Sequence, residues 1–101
     1  MAPLPLEYHP DAVFEAAAAR SWYAEIDPQL GVSFADELER VTERIAAAPD
    51  RWPRHLHETR VVMLHRFPYL VVYRRLDDRV QVVAIHHAKR RPDYWHIRMT
   101  D

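Results

Sequence analysis

Cysteine is absent from the 101 residues, which excludes disulfides and thiolate metal sites and fits a reducing compartment. Glycine occurs once, at Gly31, between two helical patterns where a tight reversal would use a positive φ. No apolar run is long enough to span a bilayer. Met1 to Glu7 has neither a basic n-region nor an apolar core, so a secretory signal is not expected. Repeats, low-complexity stretches and linkers are also missing. What is present is ordinary globular composition, 49% hydrophobic and 29% charged. The expectation is one compact domain over residues 1–101, soluble and cytoplasmic.

The net charge of −1 conceals an asymmetry. Residues 1–49 hold three basic and nine acidic side chains, a net of −6. Residues 50–101 hold eleven basic and six acidic ones, a net of +5, together with six of the seven histidines. One half therefore suits an anionic partner.

Hydrophobic periodicity divides the chain the same way. Leu4–Tyr8 reads as a short edge strand confined by Pro3, Pro5 and Pro10. Ala12, Ala16, Ala19, Tyr23 and Ile26 follow a helical period that ends at Asp27-Pro28. A second helix is expected from Ser33 as N-cap, with Asp36 and Glu37 at its positive end and Phe34, Leu38, Val41, Ile45 and Ala48 as its apolar stripe. From Thr59 the period becomes two. Strands are expected at Thr59–Leu64, Tyr69–Leu76 and Val80–His87, the last two forming a central antiparallel hairpin. Asp93–Arg98 reads as a short closing helix. The fold class is α+β, ordered β-α-α-β-β-β, with an N-terminal αα-hairpin on one face of a mainly antiparallel sheet.

Particular stretches carry a family likeness. They are Tyr8-His9-Pro10, Trp22-Tyr23, Ala48-Pro49-Asp50-Arg51-Trp52-Pro53, Arg66-Phe67-Pro68-Tyr69 through Arg74, and Ala84 through Trp95. In these the chain resembles the RelE/ParE superfamily of toxins, also described as plasmid stabilisation proteins. The resemblance implies a growth-inhibiting toxin of a type II toxin–antitoxin system, held inactive by a cognate antitoxin. It also implies two unrelated activities.

The first is metal-independent cleavage of mRNA on the ribosome, an endoribonuclease reaction. RNA carries its own nucleophile, so the enzyme must only move protons and hold the phosphate. By resemblance, Arg60, Arg66 and Arg90 clamp the phosphate through their planar forks, and Tyr94 or His87 carries the proton. The second activity is non-catalytic poisoning of DNA gyrase, with Lys89, Arg91 and Trp95 among the target contacts alongside Arg90 and Tyr94. The RNA reading is preferred on sequence because Arg60, Arg66, Arg90 and Tyr94 all have polar roles available. Gyrase poisoning is the alternative, and an inactive antitoxin-binding relative a further one. No cofactor is expected. His55, His57, His86 and His87 are not expected to hold a metal, because adjacent strand residues face opposite ways. Trp22, Tyr23, Tyr69 and Tyr73 are expected in the core, Trp52 is expected to pin the loop after the second helix, and the alternative role of Trp95 is the apolar anchor that docks the closing helix.

Overall fold

A computed structural model describes residues 2–99. The chain runs β1 (Leu6–Tyr8), α1 (Pro10–Ile26), α2 (Pro28–Ala47), β2 (Arg60–Met63), β3 (Tyr69–Arg75) and β4 (Val80–His87), with 3-10 turns at Leu56–Glu58 and His96–Met99. The four strands lie in the order β1-β4-β3-β2. Only β1 pairs in parallel, with β4; the other pairings are antiparallel. The α+β order and the central β3–β4 hairpin are those expected.

Local chemistry explains the helix ends. His9 Nδ1 accepts the Asp11 N–H at 3.1 Å, and Pro10 fills the first helical position, where a missing N–H costs nothing. Asp27 serves both helices. Its N–H donates to the Tyr23 carbonyl at 3.0 Å, closing α1, and its carboxylate accepts the Gln29 N–H at 2.9 Å, opening α2. A single extended residue thus joins the pair. Two expectations are corrected here. The N-cap of α2 is Asp27, not Ser33, and Gly31 lies inside the helix without a positive φ. Gly31 is needed for proximity: a Cβ there would sit 2.8 Å from the Ala24 Cβ across the hairpin.

The helical hairpin covers one sheet face. Ala12 and Ala19 of α1 and Phe34, Val41 and Ile45 of α2 bury against Val62, Val71, Tyr73, Val80, Val82 and Ile85. Tyr23, Phe34, Phe67 and Tyr69 close one end of this core as an edge-and-stack cluster with ring centres 4.8–6.1 Å apart. Trp52 packs against the same core between the guanidiniums of Arg44 and Arg51, each 5.3 Å from its ring, and so pins the loop after α2.

The opposite sheet face is covered by the C-terminal tail. Val72 pairs with Ala84 but Tyr73 pairs with Val82, so Val83 is an inserted bulge residue. The bulge turns both Val83 and Ala84 toward the second face, where they enclose Trp95, which is 0% exposed. The short closing helix expected over Asp93–Arg98 is present as a turn followed by a 3-10 helix at His96–Met99. With about three residues per turn, 3-10 winding aligns positions i and i+3. Trp95 and Arg98 therefore both face the sheet.

Candidate functional site

The structure does not bring Arg60, Arg66, Arg90 and Tyr94 together. Arg60 begins β2, donates to the Trp52 carbonyl at 2.6 Å, and lines a hollow with Asp50, His55, Glu58 and Arg75. Arg66 lies past the other end of β2, exposed above the Phe67 ring at 5.9 Å, in a separate hollow with Arg40 and Arg44. Its backbone N–H and that of His65 donate to the Glu37 carboxylate. Glu37 is thus a buried anchor for the β2–β3 turn, not a charge at the start of α2.

Arg90 and Tyr94 do meet, on Glu15. Among the described residues, β4 has no strand neighbour on its outer side beyond Val82, because β1 ends at Tyr8. Glu15 and Arg98 close that edge. Glu15 accepts the Ile85 N–H at 3.0 Å, and Arg98 donates to the Val83 carbonyl at 3.0 Å. The two side chains also grip each other at 2.8 and 2.9 Å in a fork-on-carboxylate pair. The Tyr94 hydroxyl donates to the same carboxylate, and Arg90 lies 3.5 Å from it while stacking over the Tyr94 ring at 3.6 Å.

These contacts set the titration. Burial opposes charge on Glu15, yet hydrogen bonds from Arg98, Tyr94 and Ile85 hold its carboxyl below the usual value. Tyr94 is raised, first by burial and then by the Glu15 carboxylate that its hydroxyl serves. Its proton is committed. A phenol held neutral by a carboxylate is a poor general base.

His87 and His86 face opposite ways, as adjacent strand residues should. His87 lies beside Tyr69, ring centres 5.5 Å apart, and its Nδ1 accepts the Lys89 N–H at 3.1 Å. His86 is 2% exposed, lies edge-on to Tyr94, and hydrogen-bonds the His87 carbonyl through Nδ1 at 2.8 Å. Burial lowers its pKa, and its Nε2 has no hydrogen-bond partner among the described residues. Among the described residues, no three His, Asp or Glu side chains converge as a metal site. Lys89 and Arg91 are exposed on the loop after β4, Arg91 loosely opposite Asp93 at 3.9 Å. Of the two roles open to Trp95 on sequence, target contact and core anchor, the structure places it in the core.

Between α1 and the ends of β3 and β4 opens a cleft of about 630 Å³. Ala18, Trp22 and Tyr23 form one wall and Pro68, Tyr69 and His87 the other, with Glu15, His86 and Arg90 at the end. Trp22 was expected in the core and is 59% exposed here. Sequence reasoning also missed Glu15 and Arg98. A signal for Glu15 existed: it stands three residues after Ala12 and four before Ala19, on the buried stripe itself.

A helical hairpin on a four-stranded sheet, with a tail strapped over the far face and a basic loop after the last strand, is the α+β architecture expected of the RelE/ParE class. The profile of the ParE toxin of type II toxin–antitoxin systems, parDE, matches residues 6–92. Two curated proteins named Toxin ParE2, from two strains of Mycobacterium tuberculosis, are 31% identical over 84 residues, covering 82% of this chain and 77% of theirs. The solved chromosomal ParDE system from P. aeruginosa has the same fold, with a TM-score of 0.74 at 15% identity over 83% of this chain and 95% of that one. The chain belongs to the ParE toxin family and is a toxin of a type II toxin–antitoxin system. The matches favour the ParE-like reading over the mRNA-cleaving one preferred on sequence.

Proposed function

We propose that this toxin arrests growth without catalysis, by binding DNA gyrase through the basic loop that follows β4, and that a cognate antitoxin blocks it. One observation carries the reading: Arg60 and Arg66 lie in separate hollows away from Arg90, and the Tyr94 hydroxyl beside Arg90 is committed to Glu15. A nuclease needs a proton acceptor beside a phosphate clamp. Lys89, Arg90 and Arg91 instead form an exposed cationic strip, suited to recognition. Arg90 and Arg91 would contribute most as contact residues, as arginines do at interfaces.

The test is a pair of assays with purified toxin. Gyrase supercoiling should fall, with cleaved DNA accumulating, while ribosome-bound mRNA stays intact. Cleaved mRNA alongside normal supercoiling would overturn the proposal and restore the nuclease. A chain that binds its antitoxin but inhibits neither system would be an inactive relative.

A further inference from the structure

Three exposed arginines on the α2 side of the molecule share one hollow of about 590 Å³. Arg40 and Arg44 stand one turn apart on α2, and Arg66 lines the same hollow from the β2–β3 turn. Among the described residues, none of the three forms an ion pair, although Asp36 and Glu43 lie four and three residues from Arg40 on the same helix. Like charges at the Arg40–Arg44 spacing repel and weaken a helix.

The one carboxylate lining the hollow is already engaged. Glu37, 5% exposed, accepts the N–H groups of His65 and Arg66, the latter at 3.2 Å. That link ties the turn to α2, so the two walls and their guanidiniums are held at a set spacing. Arg44 is steadied further by the Trp52 ring, 5.3 Å away, and the Trp52 Nε1 is buried with no acceptor among the described residues. The hollow is thus pre-set, cationic and rich in donors. Guanidinium forks of this kind match the oxygens of a phosphate, which only accepts.

The extent of the charge argues for a polymer. The Pro68 carbonyl accepts the Ala88 N–H at 2.8 Å, so the turn carrying Arg66 abuts the loop carrying Lys89 and Arg91. An exposed cationic band therefore runs from Arg40 and Arg44 through Arg66 to that loop. A single small anion would occupy a fraction of it, whereas a nucleic-acid backbone repeats its charge along the whole length. Resting on the reading of gyrase as the target, we propose that the hollow between α2 and the β2–β3 turn grips the phosphate backbone of duplex DNA. The toxin then holds the enzyme and the DNA it carries at the same time, through backbone contacts that read no sequence.

The experiment measures fluorescence anisotropy of a short labelled duplex with wild type, Arg40→Gln, Arg44→Gln, Arg66→Gln and, as a control, Arg79→Gln, which is paired with Glu7 and Asp78 at the far end of the sheet. Wild-type affinity should fall linearly with salt on logarithmic axes, and each hollow variant should make that slope shallower by about one. At fixed low salt each should bind about three- to tenfold more weakly, and Arg79→Gln should match wild type. Melting midpoints identify a variant that fails to fold; Arg40→Gln, altered at an exposed side chain, then decides. A wild type that does not bind the duplex, or hollow variants with unchanged slope and affinity within twofold, would overturn the proposal, and gyrase inhibition persisting in either case would leave the target reading intact. Arginine-dependent duplex binding with no effect on gyrase would sustain the grip on DNA and remove the gyrase reading. If single-stranded RNA of equal length binds more tightly than the duplex and loses most from the same substitutions, the hollow serves RNA and the proposal falls.

Discussion

Burying Glu15 takes a carboxylate out of water, and the surroundings answer with two arginine hydrogen bonds, a phenol and a backbone N–H. Such a pair is worth little against an apolar substitute, but removing one partner strands the other. Glu15→Gln should therefore lower stability by about 3 kcal/mol at neutral pH, near the low end for breaking a buried pair. Because the folded carboxyl is held below its ordinary 4.5, its contribution is complete above that value and is lost as pH falls through the lowered folded pKa. Urea titrations at pH 7 and in acid should show the wild-type advantage closing; an advantage unchanged in acid would contradict the ion pair. His86 works in the opposite range. Burial lowers its pKa, as it does that of nearby His55, so their contribution is full above 6.5 and declines as pH falls below it. His86→Phe also removes an unpartnered Nε2, and the slope of the urea midpoint from about pH 7.5 to about pH 5 should flatten. An identical slope would show that His86 takes up its proton equally in the folded and unfolded states.

At the scale of elements, what the sequence made legible was period, and what it hid was proximity. Alternating steps of three and four located both helices, and a period of two located β2, β3 and β4, because side-chain direction is fixed by local backbone geometry. Gly31 was misread because the same residue serves turns and tight helix crossings, and only the partner helix tells which. Trp22 was misread because α1 has two apolar sides and composition does not say which faces the core. The Val83 bulge, and with it the burial of Trp95, depends on pairing between β3 and β4 and leaves no mark in either strand alone. Likewise Arg60, Arg66 and Arg90 are equivalent as letters; the strands separate them. Gly31→Ala tests the proximity argument directly. Alanine is the better helix former by about 1 kcal/mol, yet its Cβ would stand 2.8 Å from that of Ala24. Overpacking of this kind costs about 1–3 kcal/mol, so the net effect should be destabilising. A raised unfolding midpoint would mean that the hairpin separates at no cost.

For the whole molecule the decisive feature is polarity of charge. The acidic half supplies β1 and the helical hairpin, and the basic half supplies the rest of the sheet, the loop after β4 and the tail. Binding through the basic loop and phosphate chemistry through the arginine quartet predict different mutational patterns. If recognition is the mechanism, Arg91→Glu should weaken growth arrest strongly, because the side chain is 78% exposed and only loosely opposite Asp93. Tyr94→Phe should leave growth arrest largely intact, because the hydroxyl is held by Glu15. Arg60→Ala should act through the Trp52 loop, lowering the melting midpoint without changing the growth arrest caused by each folded molecule. Dose–response of growth arrest, normalised to folded protein, separates these outcomes; abolition by both Tyr94→Phe and Arg60→Ala, with Arg91→Glu active, would reverse the mechanism. Charge polarity also governs encounter. Association with an anionic protein partner should be steered, its rate falling at least about tenfold from low to high salt while dissociation changes far less. Arg91→Glu should reduce that salt dependence, since the field around the loop sums the charges of all its side chains.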